Sequence, residues 1–262
     1  MISILGIPLD ENSSFLKGAA KAPRLIMDAF HSDASNMFSE NGVNCAEPNT
    51  ITDLGDMQLS SGELSMVSIR KTVQKELNHG QKVISLGGDH SVTFPIIQAF
   101  SQSYSDLNIF HVDAHPDLYD NFENNPYSHA SPFARIMENG LVKRLVQVGI
   151  RTLNDHQKEQ VERFGVEVIE MRDFDSSISL SFDGPVYVSI DLDGLDPAFA
   201  PGVSHHEPGG LSSRELINLI HHMDGQVVGG DIVEFNPDRD INDITATVSA
   251  KLLKELIGKI IK

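Results

Sequence analysis

Four short stretches of this chain combine glycine, aspartate, glutamate and histidine at fixed spacings. They are GGDH at 87–90, DAHPD at 113–117, DLD at 191–193 and GGDIVEFNP at 229–237. Each follows a run of apolar, strand-like residues, so its polar side chains stand at the end of a predicted strand. Carboxylates and imidazoles are common ligands of divalent metal ions. The four stretches therefore predict a metal-dependent site, provided that the fold brings them together.

Six side chains in the first three stretches are candidate metal ligands. Alternate side chains of an extended segment point the same way, so an Asp-x-His-x-Asp run addresses one point. A set that is rich in carboxylate oxygens suits Mn²⁺ better than a thiolate-binding metal, although zinc, iron and cobalt remain open. The six candidates are His90, Asp113, His115, Asp117, Asp191 and Asp193.

The charge of this ligand set indicates what the site would do. Two divalent ions would carry four positive charges against four aspartates, so the ligands and ions together would be nearly neutral. Such a site can bind hydroxide without a large electrostatic penalty, and metal ions about 3.5–4 Å apart lower the pKa of a bridging water. The set predicts a hydrolase that uses a metal-bridging hydroxide. Two neighbouring residues receive other roles: Asp89 orients His90 or caps the next helix, and His111 is a core histidine.

Strand-like and helical patterns alternate along the chain. The predicted strands are 2–7, 83–86, 108–112, 145–149, 166–170, 186–190 and 227–233, and the predicted helices are 63–78, 92–103, 130–140, 154–164, 213–223 and 243–260. This alternation predicts one α/β domain over 1–262, with a central, mostly parallel sheet between helices. Ligands of such sheets bind beyond the carboxyl ends of the strands, where all four motifs lie.

Composition excludes several classes of protein. The formal net charge is −17, which opposes binding to nucleic acid or to an anionic membrane. The single cysteine, Cys45, excludes an internal disulfide and a zinc site built from cysteines. No apolar run is long enough to span a bilayer. The first residues lead straight into a strand without a basic or Arg/Ser-rich presequence, which predicts a cytoplasmic protein.

The motifs, in this order and spacing, resemble the ureohydrolase family of arginases and agmatinases, and the resemblance covers almost the whole chain. DIVEFNP and SIDLDGLDPAFAPG extend the shorter motifs that are named above. Four further segments resemble plant-type arginases and similar bacterial sequences: NSSFLKGA at 12–19, YSHASPFARIMENG at 127–140, LVQVGIR at 145–151 and PGVSHHEPGGLS at 201–212.

The resemblance implies a role for each site residue. It assigns one Mn²⁺ to His90, Asp113, Asp117 and Asp191 and a second to Asp113, His115, Asp191 and Asp193, so that Asp113 and Asp191 bridge the ions. It implies that His129 shuttles protons to the leaving amine, that Glu234 binds a small cationic guanidino substrate, and that Asp117 also takes part in catalysis. It further implies a three-layer α/β/α fold that assembles as a homotrimer or homohexamer.

The chain departs from the common arginase pattern at the positions that select the substrate. Many arginases carry an asparagine two residues beyond the DAHPD motif to bind the substrate α-carboxylate, and Tyr119 stands there in this chain. Ser204-His205 replaces the usual Gly-Thr, and His205 either contacts the substrate or holds its loop. Candidate donors to a carboxylate are Asn124, Asn125 and Ser128.

Several functions remain open at this point. Hydrolysis of L-arginine to L-ornithine and urea is the leading hypothesis, followed by agmatine hydrolysis to putrescine and urea, and then by hydrolysis of a guanidino acid. A deacetylase of the related fold would bind one catalytic metal ion and would have no complete second set of ligands. A non-catalytic binding protein would release no urea after loading with manganese.

Overall fold

The computed structural model describes residues 1–262, and all eight strands belong to one sheet. The strands are β1 (Ile2–Ile7), β2 (Ile51–Asp56), β3 (Lys82–Gly87), β4 (Asn108–Val112), β5 (Arg144–Ile150), β6 (Glu167–Glu170), β7 (Ser181–Asp191) and β8 (Asp224–Val233). Their order across the sheet is β2-β1-β3-β8-β7-β4-β5-β6, and every neighbouring pair is parallel.

Helices cover both faces of the sheet. They are α1 (Ala22–Phe30), α2 (Glu63–Asn78), α3 (Thr93–Ser103), α4 (Pro132–Glu138), α5 (Asp155–Phe164), α6 (Ser213–His222) and α7 (Ile244–Ile261). Helices α1, α6 and α7 contribute to one buried apolar cluster, and α2, α3 and α4 contribute to the other. The predicted three-layer α/β/α architecture is confirmed. None of these helices combines the length and the apolar character that a bilayer span requires.

The buried strands supply side chains to both clusters because successive residues point to opposite faces. Ile2 and Ile4 of β1 pack in one cluster, and Leu5 and Ile7 pack in the other. Parallel strands that are covered on both faces therefore read as continuous apolar runs, which made most of them predictable. Strand β8 carries Gly229 where it packs against α3, since a Cβ there would lie 2.4 Å from the Phe100 ring.

Two elements were not predicted from the sequence. Strand β2 lies at the edge of the sheet and its side chains are mostly exposed, so it carries no apolar run. Helix α1 is short, has a proline in its first turn and buries Ile26 and Phe30. In contrast, the predicted capping box of α6 is present, with Ser212 accepting from the Glu215 backbone and the Glu215 carboxylate accepting from Ser212.

The strand order explains how four distant motifs meet. The motifs follow β3, β4, β7 and β8, and the central part of the sheet reads β3-β8-β7-β4. The four strands are therefore immediate neighbours, and their carboxyl ends lie along one edge. Parallel α/β sheets bind ligands at this edge. The topology thus gathers side chains that the sequence separates by more than a hundred residues.

Candidate metal centre and catalytic cavity

Three aspartates at the strand ends share one arrangement. Each binds a backbone N–H through one carboxylate oxygen: Asp113 Oδ1 accepts from His115 N at 2.6 Å, Asp191 Oδ1 from Asp193 N at 2.9 Å, and Asp193 Oδ1 from Ala114 N at 3.1 Å. The second oxygen of each carboxylate, Oδ2, faces a histidine. The backbone therefore orients the carboxylates before any ligand binds.

The first group of ligands surrounds His90. Its Nδ1 lies 3.2 Å from Asp113 Oδ2, 3.1 Å from Asp117 Oδ2 and 3.1 Å from Asp191 Oδ2. His90 is fully buried, and this Nδ1 has no hydrogen-bond partner. Buried polar atoms nearly always have a partner. A cation held between the imidazole and the three carboxylates would satisfy this requirement.

The other nitrogen of His90 indicates which tautomer is present. His90 Nε2 lies 3.1 Å from Ser189 Oγ, and that hydroxyl donates its proton to Asp231 Oδ1 at 2.7 Å. Tyr187 and Thr93 donate to the other oxygen of Asp231, both at 2.8 Å. Because the single proton of Ser189 is used, His90 Nε2 must donate to Ser189. Nδ1 then keeps a lone pair that points at the carboxylates, as a metal ligand requires.

The second group of ligands surrounds His115. Its Nδ1 lies 3.1 Å from Asp193 Oδ2 and 3.4 Å from Asp113 Oδ1. Asp113, His115 and Asp193 lie close enough together to hold one metal ion. Asp113 presents one oxygen to each histidine group, since its Oδ2 faces His90. This geometry fits the predicted bridging role of Asp113.

His111 holds Asp113 in place. Its Nε2 lies 2.9 Å from Asp113 Oδ2, and its Nδ1 lies 3.0 Å from the amide nitrogen of Gln147. The same amide donates to the Pro116 carbonyl at 2.7 Å. An amide nitrogen can only donate, so His111 Nδ1 accepts and His111 Nε2 donates to Asp113. The prediction of a core histidine is confirmed, and this histidine also orients a candidate ligand.

The acids of the cluster oppose one another electrostatically. Burial, followed by the charge of Asp113, raises the pKa of Asp117 to about 7. Burial and the charges of Asp193 and Asp113 raise the pKa of Asp191 well above its ordinary value. Like charges at a shared, desolvated site favour protonation of some of the carboxyls. Bound cations would remove this penalty, and the residues therefore fit a metal centre.

Two site residues have left-handed backbone conformations although neither is a glycine. The φ angle is 50° at Asp117 and 64° at Glu234. Such conformations cost about 1–3 kcal/mol and tend to persist at functional sites, where the surrounding structure enforces them. At Glu234 the backbone N–H donates to the Gly88 carbonyl at 2.8 Å, which ties the end of β8 to the end of β3.

Glu234 and His129 form a buried pair beside the metal-ligand cluster. Glu234 Oε1 accepts from the His90 backbone N–H at 2.8 Å and lies 2.9 Å from His129 Nδ1. Burial opposes charge on both groups, yet the Glu234 carboxylate raises the pKa of His129 to about 9. His129 in turn lowers the pKa of the Glu234 carboxyl against burial. The pair joins a carboxylate to a group that can carry a proton.

One cavity connects the cluster with this pair. Ten of its lining residues carry the charged, imidazole or aromatic side chains that the site would use: His115, Asp117, Tyr119, Phe122, His129, Asp191, Asp193, His205, Glu207 and Glu234. Four others are small or uncharged: Ser14, Ala130, Thr152 and Gln157. Sequence patterns did not indicate Ser14, Phe122, Thr152, Gln157 or Glu207.

The predicted substrate residues Tyr119 and His205 both line the cavity. The Tyr119 hydroxyl accepts from Asn154 Nδ2 at 2.5 Å, so its oxygen is already engaged. The ring of His205 lies 5.3 Å from that of Phe15 and 5.7 Å from that of His129, measured between centroids. Its pKa is lowered by burial and by His115 and His129. Both residues therefore remain candidates, with His205 the more available of the two.

The other predicted carboxylate donors do not line this cavity. Asn125 donates to the Asn12 side chain at 3.0 Å and accepts from Tyr127 N at 2.9 Å. Ser128 Oγ accepts from Ala130 N at 3.3 Å, and Asn124 is exposed with a φ of 61°. These side chains shape the loop that carries His129. Asn125 and Ser128 are polar because they form hydrogen bonds that shape the loop, and not because they face the cavity.

Two residues that support the site were not fully assigned from the sequence: Arg151 had no predicted role, and Asp89 had only a local one. Arg151, after β5, donates to the carbonyls of Asp193 at 2.6 Å and Glu207 at 2.5 Å, which fixes two cavity segments together. Asp89 caps the turn after β3 by accepting from Ser91 N at 3.1 Å, so its capping role is confirmed. It also accepts from Asn12 N at 3.0 Å, a long-range contact that no local motif indicates.

Known proteins resemble this chain over nearly its full length. The Arginase family profile matches residues 1–258. A protein named "Arginase, mitochondrial" from Medicago truncatula is 46% identical over 285 residues, which cover 99% of this chain and 82% of that protein. "N(1)-aminopropylagmatine ureohydrolase" from Thermus thermophilus is 34% identical, over 98% of this chain and 89% of that protein.

The names of the plant relatives correct one expectation. Arginases from Medicago truncatula and Arabidopsis thaliana are named mitochondrial or chloroplastic/mitochondrial, so the predicted cytoplasmic location is wrong. Targeting segments are read by transport machinery and removed, and they lie outside the folded domain. The motifs and the sheet, which the sequence does predict, therefore carry no information about the compartment.

Solved structures agree with the sequence relatives. "Arginase from Medicago truncatula" superposes with a TM-score of 0.94 at 45% identity, over 99% of this chain and 87% of that chain. A putative agmatinase from Clostridium difficile superposes with a TM-score of 0.86 at 27% identity, over 99% and 96% of the two chains. The family profile, the relatives and the solved structures each match nearly the whole chain, including the strand ends that carry the candidate ligands. The chain belongs to the Arginase family of ureohydrolases.

Proposed function

We propose that this protein hydrolyses L-arginine to L-ornithine and urea. The observation that carries the proposal is one cavity that joins the two groups of metal ligands to the Glu234–His129 pair. Plant proteins named arginase, at 46% identity over 99% of this chain, support arginine rather than agmatine as the substrate. A homotrimeric or homohexameric assembly, common in the family, is part of the same proposal.

We infer that the site holds two Mn²⁺ ions. His90, Asp113, Asp117 and Asp191 would hold one ion, and Asp113, His115, Asp191 and Asp193 the other. Oxygen-rich ligand sets with a minority of imidazole favour this metal. Two bound ions would supply a hydroxide nucleophile at neutral pH by lowering the pKa of water. The lone pair on His90 Nδ1 and the raised pKa values of Asp117 and Asp191 support this occupancy.

Glu234 would bind and orient the substrate guanidinium. Both protein donors, the His90 backbone N–H and His129, engage Oε1, and no protein group hydrogen-bonds to Oε2. The second oxygen is therefore available to the planar cation, and charge-assisted contacts of this kind are strong. A guanidinium held there would lie beside the carboxylate cluster, with its central carbon open to attack.

His129 would manage the proton that the leaving amine needs. When the C–N bond to ornithine breaks, the nitrogen of the leaving amine must be protonated. A histidine is suited to this task because its imidazole can both take up and release a proton. His129 is held at Nδ1 by Glu234 and lines the same cavity. Asp117 also lines the cavity, and its part in catalysis would be to hold a metal ion there.

Gln157 is a candidate for recognition of the substrate α-carboxylate. It is 3% exposed and lines the cavity, and its side-chain amide makes no hydrogen bond to another protein group. Asn124, Asn125 and Ser128 do not line the cavity, and the Tyr119 hydroxyl already accepts from Asn154. We expect Gln157→Leu to lower kcat/KM for arginine by roughly 10- to 100-fold, because a hydrogen bond to a charged group contributes about 1.5–3 kcal/mol.

Agmatine provides the internal reference for Gln157→Leu because it lacks the carboxylate. Its kcat/KM should change little, and Glu159→Gln, on the exposed face of the same helix, should leave both substrates unaffected. Steady-state kinetics with both substrates measure the ratio. Equal losses for arginine and agmatine would show that Gln157 acts through local folding and not through the carboxylate.

A direct assay tests the proposed function. The Mn²⁺-loaded protein is given arginine, agmatine, guanidinobutyrate or guanidine, and urea is measured for each compound. Arginine should have the highest kcat/KM. A large preference for agmatine would overturn the choice of substrate, and the Thermus thermophilus relative named for an agmatine derivative makes this the second candidate. No urea from any of the four would remove the ureohydrolase assignment.

A further inference from the structure

The segment before α1 reaches over the cavity and is anchored at its base. The Asn12 backbone N–H donates to Asp89 Oδ2 at 3.0 Å, and the Asn12 side chain donates to Ser91 Oγ at 3.0 Å. The Asn12 carbonyl accepts from the His129 backbone N–H at 3.2 Å. The segment is therefore attached both to the turn after β3 and to the loop that carries His129, and Ser14, two residues further on, faces the His129 ring.

Ser14 makes two contacts with one nitrogen of His129. The Ser14 backbone N–H donates to His129 Nε2 at 3.1 Å, and Ser14 Oγ lies 2.8 Å from the same atom. A backbone N–H can only donate, so Nε2 must offer a lone pair. The proton of the neutral ring then lies on Nδ1, which is 2.9 Å from Glu234 Oε1. Two neighbours on opposite sides thus select one tautomer.

These two neighbours have opposite effects on the charge of His129. Glu234 stabilises the imidazolium, and Asp89 and Asp117 act in the same direction from the ends of β3 and β4. His205 also faces the ring and is itself disfavoured as a cation by His129. The Ser14 N–H stabilises only the neutral ring, because an imidazolium has no lone pair to accept it. A proton carrier works best when neither form is strongly favoured.

We propose that Ser14 is a positioning residue that fixes the tautomer of the neutral His129 ring, with the proton on Nδ1 and with Nε2 as the proton acceptor. Nε2 takes a proton from a water molecule, so that one O–H bond breaks and one N–H bond forms. The imidazolium, stabilised by Glu234, later gives this proton to the amine that leaves the substrate. Nε2 then has its lone pair again and accepts from the Ser14 N–H. The proposal rests on the proposed hydrolysis only for the leaving amine that finally accepts the proton. The contacts among Ser14, His129 and Glu234 do not depend on that reaction.

The kinetic test uses three variants of the Mn²⁺-loaded protein. Ser14→Ala keeps the backbone N–H and removes the hydroxyl, which donates to Nε2 when the neutral ring carries its proton on Nδ1. We expect kcat for arginine to fall by about 10-fold with little change in KM. The acid limb of the kcat pH profile should move upward by roughly half a pH unit, since the loss of a donor to Nε2 favours the charged ring. Ser14→Thr restores the hydroxyl and should recover both quantities.

Ser13→Ala is the matched control in the same segment. The Ser13 hydroxyl contacts Asp89 Oδ2 at 3.3 Å and does not touch His129, and the Asn12 N–H also holds that oxygen. This variant should keep the wild-type kcat and pH profile. An equal loss in Ser13→Ala and Ser14→Ala, or a failure of Ser14→Thr to recover activity, would overturn the positioning role in favour of general support of the loop.

A spectroscopic readout separates this inference from the proposed function. Long-range ¹H–¹⁵N NMR spectra of protein labelled at histidine and loaded with diamagnetic Zn²⁺ report the tautomer of each ring, and His129→Asn identifies the signal of His129. In the wild type we expect the neutral ring, at pH values above its titration midpoint, to carry its proton on Nδ1, and we expect a higher midpoint in Ser14→Ala. A neutral ring with its proton on Nε2 would overturn the proposal even in an active enzyme. The expected tautomer in a protein without urea release would leave it standing and reject only the arginase reaction.

Discussion

Asp193→Ala should lose one bound metal ion per chain and nearly all turnover. Asp193 Oδ2 lies 3.1 Å from His115 Nδ1, and its other oxygen is fixed by the Ala114 backbone N–H at 3.1 Å. Alanine leaves His115 with only Asp113 and Asp191 as carboxylate partners for a metal ion. We expect kcat for urea release to fall by roughly 10³-fold or more, equivalent to about 4 kcal/mol of transition-state stabilisation.

Metal content and activity must be measured together for Asp193→Ala. Elemental analysis of the dialysed protein gives ions per chain, and the urea assay gives kcat. Asp183→Ala is a suitable control because Asp183 lies on the same strand, β7, with a fully exposed side chain. Full metal content together with full activity in Asp193→Ala would refute the assignment. A metal count of one in the wild type would instead favour the deacetylase alternative.

Glu234→Gln should abolish most arginine turnover while the metal ions stay bound. The substitution keeps the size of the side chain and removes its charge beside His129 and the cavity. A guanidinium would then be desolvated against a neutral amide. Truncation of one partner in a buried charge pair typically costs about 2–5 kcal/mol, so kcat/KM for arginine should fall by roughly 10²- to 10³-fold.

The metal count distinguishes this effect from damage to the ligand cluster. Glu234→Gln should bind as much Mn²⁺ as the wild type, because Glu234 contacts the His90 backbone and not its ring nitrogens. Glu162→Gln, on the exposed side of α5, controls for the loss of one acidic charge. Unchanged kcat/KM in Glu234→Gln would contradict its role in binding the guanidinium, and lost metal would move Glu234 into the support of the cluster.

The part of the fold that local patterns encode was predictable. Strands β3 and β4 and the C-terminal parts of β7 and β8 are buried on both faces, so their sequences are mostly apolar runs that lead into the polar motifs. Edge strand β2 lacks that signature because solvent covers its side chains. Burial on both faces thus made the central strands visible in the sequence, and the partly buried edge strand β6 was predicted as well.

The candidate site divides in the same way. The spacing of the aspartates and histidines at three strand ends predicted a shared location, since strand periodicity and the edge of a parallel sheet are general properties. Ser14 and Gln157 belong to no metal-ligand spacing, and both reach the cavity through contacts between distant segments. Asn125 and Ser128 lie on the loop that carries His129, but their side chains bind other residues of the protein and do not line the cavity. Side-chain direction in a loop is set by its long-range contacts, which a linear pattern does not contain.

By itself, the sequence determined the α/β class and the six candidate metal ligands, because those features depend on residue type and short-range spacing. Its resemblance to the ureohydrolase family implied the catalytic roles of Glu234 and His129. Only the tertiary structure decided which side of each carboxylate faces a histidine, which tautomer His90 and His129 adopt and which groups line the cavity. These properties depend on hydrogen bonds between residues far apart in the chain, such as Ser14 with His129 and Ser189 with His90. The positions of their partners exist only after the eight strands have assembled.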